Sequence, residues 1–142
     1  MGPDFICIGA QKAGSAWLYD QARSHPRVWM PPIKEVRYFS ALGGVKERAA
    51  IQLAKYELLS RPMDPRKVEF VRRLARAEGP KNGNDLTEYM ALFEPAGDAV
   101  TGDISPGYVR MPDDLAKKLA AALPDCKFLF LIREPAARLW SQ

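Results

Sequence analysis

The sequence predicts an α/β fold in which a mostly parallel sheet is flanked by helices. Short apolar runs that end at glycine or proline alternate with longer stretches whose apolar residues recur at helical spacing. The chain has 142 residues, a length that suits one domain with a substantial core. We therefore expect a single α/β domain over residues 1–142, with right-handed crossovers between its parallel strands.

Strands are predicted where short apolar runs meet glycine or proline. The first covers residues 4–9, and residues 127–132 give the strongest strand signal in the chain. Weaker signals predict strands at residues 28–30 and 99–102. Residues 37–39 are predicted to be another extended segment.

Helices are predicted from apolar residues at helical spacing and from capping residues. They cover residues 16–24, 45–59, 65–77, 85–93 and 112–123. The third has the clearest start, because Asp64 can cap its first turn and Pro65 fits into that turn. The middle of the chain, about residues 45–95, is thus largely helical, with residues 79–84 as a candidate linker. A further helix after the last strand is cut short at Gln142, which indicates part of a larger domain.

Composition and charge exclude several classes of function. The 21 Lys and Arg against 17 Asp and Glu give a net charge of +4, which favours anionic ligands slightly and predicts no nucleic-acid surface. One histidine, His25, and two cysteines offer neither a zinc site nor a disulfide framework. No apolar run approaches the ~20 residues of a membrane span, and the N-terminus has no secretory signal. We expect a cytoplasmic protein that uses no metal and no membrane.

The loop between the first predicted strand and helix has the features of an anion site. Gly9 and Gly14 have the spacing of a nucleotide P-loop, G-x-x-x-x-G-K-[ST], but Ser15 stands where that loop has its lysine. Backbone N–H groups at the helix start attract an anion, and Lys12 adds positive charge beside them. The alternative is a tight turn with a solvated lysine.

A second loop repeats this arrangement after the last strand. Arg133 stands at the carboxyl end of that strand, where ligands of open α/β sheets collect. Its guanidinium can donate two hydrogen bonds to a phosphate, and Ser141, eight residues later, can add a hydroxyl. The alternative is a surface arginine and an ordinary helix serine.

Together the two loops resemble the sulfotransferase family, whose donor is 3′-phosphoadenosine 5′-phosphosulfate. Residues 11–18 are similar to its 5′-phosphosulfate loop, in which Lys-x-Gly-Thr-Thr-Trp is usual, and residues 132–141 are similar to its 3′-phosphate segment, R-x-P-x-x-R-x-x-S. The similarity extends in blocks from Phe5 to Ser141, with the helical middle unassigned. It implies a P-loop-like three-layer fold that is truncated at the C-terminus, since the family continues further.

The resemblance implies a role for each matching residue. The 5′-phosphosulfate is held by Lys12 and the backbone of Ala13, Gly14, Ser15, Ala16 and Trp17, and the 3′-phosphate by Arg133 and Ser141. The family's Thr-Thr is Ser15-Ala16 here, so one hydroxyl contact to the donor is missing.

The resemblance also suggests a catalytic base. Aryl-acting members use a histidine, whereas carbohydrate-acting members use a glutamate shortly before an aromatic pair. Glu35, ahead of Tyr38-Phe39, resembles the second kind, and His25 is expected to cap or pack instead. The alternative for Glu35 is a solvated carboxylate paired with Lys34 or Arg37. Residues 103–108 resemble the family block E-K-[ST]-P-x-Y, with Ile104 in place of the lysine, which argues against a heparan-type substrate.

The expected function is therefore transfer of a sulfuryl group to a hydroxyl or amine of a small-molecule or carbohydrate acceptor. Glu35 is expected to act as base in an in-line displacement, with Lys12 at the leaving phosphate. One alternative is a P-loop nucleotide kinase that uses Mg²⁺. The other is a nucleic-acid-binding module built on the basic helix over residues 66–76, a pattern more typical of a solvated face. The acceptor and the oligomeric state stay open.

Overall fold

Four parallel strands form one sheet in the computed structural model, which describes residues 2–39, 64–77 and 86–140. The strands are β1 (Phe5–Gly9), β2 (Val28–Trp29), β3 (Val100–Ile104) and β4 (Lys127–Phe130), in the order β2-β3-β1-β4. Each of the three pairings within this part of the chain is parallel. The predicted α/β class with a mostly parallel sheet is thereby confirmed.

Five α-helices and two short 3₁₀ helices accompany the strands in the described ranges. They are α1 (Ser15–Ser24), α2 (Pro65–Arg76), α3 (Thr87–Ala91), α4 (Asp113–Ala122) and α5 (Pro135–Leu139), with 3₁₀ helices at Glu94–Ala96 and Pro106–Arg110. The start of α2 is as predicted, because the Asp64 carboxylate accepts a hydrogen bond from the Arg66 N–H at 3.0 Å and Pro65 lies in the first turn. The predicted helix at 45–59, the loop at 79–84 and the capping residue Asp85 lie outside the described residues.

Two predicted elements differ from the structure. The helix predicted to continue through Phe93 ends at Ala91, and a 3₁₀ helix follows. Pro95 has no N–H to donate to the Ala91 carbonyl, so the α-helical hydrogen bonds cannot continue past that residue. Residues 37–39 are not an extended segment: Arg37 has φ 55° and Tyr38 and Phe39 lie in a turn. The backbone N–H groups of Arg37 and Tyr38 bond to side chains from beyond β3 instead of to a strand.

The sheet has helices on both faces. Side chains alternate along β1, so that Cys7 and Ile6 point to opposite sides. On the Cys7 side the apolar cluster includes Leu18, Tyr19 and Ala22 of α1. On the Ile6 side it includes apolar residues from α2, α3 and α4, among them Phe70, Leu74, Tyr89 and Leu119. The predicted flanking helices are confirmed in this arrangement.

The strand order places a natural ligand site at the carboxyl ends of β1 and β3. These strands are neighbours, yet the connection from β1 runs towards β2 and the connection from β3 runs towards β4, in the opposite direction. Ligands of open parallel sheets bind outside the carboxyl ends of strands at such a point of reversal. No helix in the described part of the chain has the length and apolar character needed to cross a membrane.

Candidate functional site

The loop after β1 presents the start of α1 to solvent. Gly14 is the N-cap residue, with φ 106°, a left-handed conformation that glycine adopts without a steric penalty. No side chain caps the helix, so the N–H groups of its first turn have neither an intrahelical nor a capping partner. Lys12 also has a positive φ, 61°, and its side chain is exposed beside this turn. The loop therefore combines open backbone donors with one mobile cation, which is the arrangement that binds anions.

The loop after β4 lies directly against the loop after β1. The Arg133 guanidinium Nη1 donates to the Lys12 carbonyl oxygen at 3.2 Å. Two backbone hydrogen bonds hold the same junction, from the Ala10 N–H to the Leu131 oxygen at 3.1 Å and from the Leu131 N–H to the Gly9 oxygen at 2.7 Å. Two segments that are more than 100 residues apart in sequence thus form one surface.

Most of the residues predicted for the donor site line a single cleft of about 500 Å³. These are Lys12, Gly14, Ser15, Ala16, Glu35 and Arg133. Ala13 and Trp17 do not line it, and Trp17 in the first turn of α1 is 67% exposed. Ser141 lies outside the described residues, so its predicted contact to a phosphate stays a prediction.

The cleft carries an excess of positive charge. Its ionisable lining residues are Lys12, Lys34, Arg37, Arg133 and Glu35, which are four cations and one carboxylate. A polyanionic ligand fits this balance, because each phosphate can be met by a cation or by helix N–H groups. Arg133 and Lys12 are held next to each other by the hydrogen bond between their loops.

Glu35 is anchored by ion pairs at the edge of this cleft. Its Oε2 accepts from Arg37 Nε at 2.8 Å and from Arg37 Nη2 at 2.5 Å. Its Oε1 lies 3.7 Å from Lys34 Nζ. The structure therefore shows the pairing with both neighbours that the sequence offered as the alternative, and it also places the carboxylate in the cleft beside Lys12 and Arg133.

A buried carboxylate fixes the backbone of the segment that carries Glu35 and Arg37. Asp103, at 0% exposure, accepts from the Ser105 hydroxyl at 2.6 Å and from the Tyr108 hydroxyl at 2.9 Å. Those two hydroxyl oxygens in turn accept the Arg37 N–H at 3.2 Å and the Tyr38 N–H at 2.9 Å. Because both hydroxyls donate to the carboxylate, their oxygens have lone pairs that accept hydrogen bonds from the loop N–H groups. We call Asp103, Ser105 and Tyr108 the anchor network.

The environment of Asp103 shifts its titration. Burial raises the pKa of the Asp103 carboxyl from 3.8 to about 6, and the hydrogen bonds from Ser105, Tyr108 and Tyr89 oppose that rise by favouring the charged form. Tyr89 Oη donates to the same carboxylate at 3.0 Å. Burial also raises the pKa of the Tyr89 and Tyr108 hydroxyls well above 10, so both stay protonated as donors.

Sequence reasoning singled out the block containing the anchor network but missed its role. The strand predicted at residues 99–102 ended before Asp103, whereas the observed strand Val100–Ile104 includes it. A strand extended by two residues would have given the signal, because a buried carboxylate needs several hydrogen-bond donors near it. What could not be read from the sequence is that residues 37 and 38 supply backbone partners across nearly 70 positions.

His25 and Glu134 have structural roles at the ends of helices. His25 is the C-cap residue of α1, as expected, with its backbone N–H bonded to the Ala22 oxygen, and its Nδ1 accepts from the Arg27 N–H at 3.3 Å beyond the helix. It lies at the far end of a ten-residue helix, about 15 Å from the cleft at 1.5 Å per residue. Glu134 caps α5 by accepting from the Ala136 and Ala137 N–H groups at 3.0 and 2.6 Å, and these bonds lower the pKa of its carboxyl.

The basic helix α2 is partly neutralised within the molecule. Arg66 pairs with Asp64 at 2.9 Å, and Arg73 pairs with Glu69 at 2.9 Å and with Glu94 at 2.5 Å. Its other face is buried through Phe70, Val71 and Leu74. In the described ranges we find no group of three His, Cys, Asp or Glu side chains that could hold a metal ion.

Comparisons with protein-family models, with curated proteins and with solved structures found no match to this chain.

Proposed function

We propose that this chain carries the donor site of a P-loop-like sulfotransferase that uses 3′-phosphoadenosine 5′-phosphosulfate. The observation that carries the proposal is the hydrogen bond between Arg133 and the Lys12 carbonyl, since it joins the two phosphate-binding patterns around one cationic cleft. Each pattern alone has an ordinary structural explanation. Their convergence with Glu35 at the carboxyl edge of the sheet, beside the point of reversal between β1 and β3, supports a single nucleotide site.

The donor fits the charges of the cleft. Lys12 and the open N–H groups at the start of α1 receive the 5′-phosphosulfate, and Arg133 with Ser141 receives the 3′-phosphate. The Lys12 ammonium is a compact charge that suits the leaving group, and the planar Arg133 guanidinium can donate two parallel hydrogen bonds to the 3′-phosphate. Four cations and one carboxylate line the cleft, so its net charge is opposite in sign to that of the donor, and we assign no metal to the site.

The proposed reaction assigns one proton to Glu35. The two Arg37 contacts both fall on Oε2, so Oε1, with Lys34 at 3.7 Å, is the oxygen that accepts the acceptor's proton. The acceptor oxygen forms a bond to sulfur while the bond from sulfur to the 5′-phosphate oxygen breaks. The leaving phosphate keeps that electron pair, and Lys12 stabilises the charge that develops on it.

The two alternatives lack a supporting observation in this structure. A kinase requires a lysine at the position of Ser15, and Ser15 is buried while Lys12 occupies a different point of the loop. A nucleic-acid module requires an unpaired basic surface, whereas two of the five basic residues of α2, Arg66 and Arg73, are engaged in ion pairs.

Thermal unfolding with two nucleotides tests the proposal. A ligand at 100 times its Kd adds about 2.7 kcal/mol to the free energy of unfolding, which raises the melting temperature by several degrees. We expect this rise with adenosine 3′,5′-bisphosphate and a much smaller one with ADP and Mg²⁺. Equal rises with both ligands would contradict the 3′-phosphate assignment, and no rise with either would remove the nucleotide site.

A further inference from the structure

A second cavity of about 410 Å³ adjoins the cationic cleft. The two cavities share Gln11, Glu35 and Arg37, so these residues form the wall between them. We call the second cavity the side pocket. A volume of this size suits a small molecule of one or two rings.

The side pocket is built on buried aromatic rings. Phe39 and Tyr108 line it, at 8% and 5% exposure, with their ring centroids 5.3 Å apart. Met111 and Pro112 add apolar surface. The anchor network holds Tyr108 through Asp103, so this aromatic surface is fixed before any ligand arrives. Such a surface favours the face of a flat or cyclic ligand.

Of the two cations that line the side pocket, only Arg37 has an ion-pair partner in the described ranges. The lining residues of the pocket include these two cations, Arg37 and Arg110, and the carboxylate of Glu35. Arg37 forms the ion pair with Glu35, whereas Arg110 is exposed and forms no ion pair with any residue in the described ranges. An anion on the ligand is therefore the group that Arg110 can bind without competing with Glu35.

We propose that the side pocket binds a small cyclic hydroxyl compound that carries a carboxylate, with the carboxylate on Arg110 and the ring on Phe39 and Tyr108. This inference rests on the proposed function, for which it names the class of acceptor. Because Glu35 lies in the shared wall, a hydroxyl placed there meets the proposed base on one side and the donor cleft on the other.

Direct binding to the 142-residue chain tests this proposal without requiring turnover. Titrations use 4-hydroxybenzoate and glucuronate as probes of an aromatic and a sugar ring, each with a neutral analogue, 4-hydroxybenzyl alcohol and methyl glucoside. We expect at least one acid to bind in the millimolar range or tighter, and its neutral analogue to bind about tenfold more weakly, because a charge-assisted hydrogen bond is lost. The same loss is expected for the acid with Arg110→Gln, while Arg110→Lys keeps most of the affinity.

The matched control is Arg72→Gln, which removes the same charge from the exposed side of α2. If the control weakens binding as much as Arg110→Gln does, the effect is one of net charge and the proposal is wrong. It is also wrong if neither acid binds, or if acid and neutral analogue bind equally. Adenosine 3′,5′-bisphosphate is titrated in parallel. If the bisphosphate binds and neither acid does, only the acceptor class is wrong. If an acid binds and the bisphosphate does not, only the donor assignment is wrong.

Discussion

At the scale of single residues, Asp103 positions the loop that carries Arg37 although it does not line the cleft. It does so through the hydroxyl groups of two other residues. It accepts a hydrogen bond from each hydroxyl, and the oxygens of Ser105 and Tyr108 accept hydrogen bonds from two successive loop N–H groups. Arg37 is kept at φ 55° by this arrangement. Within the described ranges, the non-glycine residues with positive φ are Lys12 and Arg37, and both line the cationic cleft. Backbone strain concentrates at functional sites, which agrees with the position of the cleft.

The titration of Asp103 predicts a pH dependence of stability. Because burial raises its pKa in the folded state from 3.8 to about 6, the folded protein binds this proton more tightly than the unfolded chain. The contribution of Asp103 is thus most favourable below pH 3.8 and is lost as the pH rises through about 6, a change of roughly 3 kcal/mol. We expect denaturant unfolding of the wild type, compared with Asp103→Asn, to show this extra decline between pH 4 and pH 6. Parallel curves for the two proteins would show that the carboxyl has no raised pKa.

The proposed role of Glu35 as base predicts that its substitution lowers turnover and leaves donor binding nearly unchanged. Glu35→Gln keeps the shape of the side chain and removes the basic oxygen, so sulfuryl transfer is expected to fall ~10²–10⁴-fold. Binding of adenosine 3′,5′-bisphosphate should change little, since Lys12 and Arg133 are intact. Initial-rate measurements and titration calorimetry give the two quantities. His25→Ala serves as the control, with stability lowered and turnover kept; the reverse result would assign the base to His25.

At the scale of elements, the strength of the local signal decided what the sequence could predict. The strands β1 and β4 and the helices α1 and α2 have apolar periodicity or capping residues that act over a few positions, and the structure has them within a few residues of the prediction. The prediction of an extended segment at residues 37–39 was wrong because the N–H groups of Arg37 and Tyr38 bond to the side chains of Ser105 and Tyr108. No local sequence pattern contains these distant partners. The cleft residues lie together because of the order of the strands. That order is a property of the whole sheet, and no local sequence pattern encodes it.

The loop that starts α1 gives a prediction with a matched control. Gly14 has φ 106° and Gly97 has φ 61°, and a Cβ added to either glycine meets no atom within 4 Å. Both Gly14→Ala and Gly97→Ala should therefore lower the free energy of unfolding through backbone strain. We expect about 1–2 kcal/mol at Gly14, whose ψ of 16° lies near the left-handed helical region, and a larger loss at Gly97, whose ψ is −129°. Only Gly14→Ala should also weaken adenosine 3′,5′-bisphosphate binding, because Gly14 lines the cleft and Gly97 does not. If both variants bind the nucleotide as the wild type does, the loop geometry is not used for the ligand.

At the scale of the whole molecule, the parallel sheet is what makes two distant motifs one site. The β1 and β4 strands pair directly, with Phe5 opposite Lys127 and Cys7 opposite Leu129, so their carboxyl ends reach the same edge. The connection through α1 and the connection from β3 to β4 leave this edge in opposite directions and open a cleft between them. Helices packed on both faces keep the strands, and hence the two loops, at a fixed separation.

The measurement that tests the joint site most directly is a comparison of two nucleotides on three proteins by titration calorimetry. The nucleotides are adenosine 3′,5′-bisphosphate and adenosine 5′-phosphate, which differ only in the 3′-phosphate, and the proteins are the wild type, Lys12→Ala and Arg133→Gln. We expect the wild type to prefer the bisphosphate, Lys12→Ala to weaken both nucleotides by the same factor, and Arg133→Gln to abolish the preference while binding the monophosphate nearly as the wild type does. A preference that survives in Arg133→Gln, or that Lys12→Ala removes, would contradict the assignment of the two phosphates to the two loops.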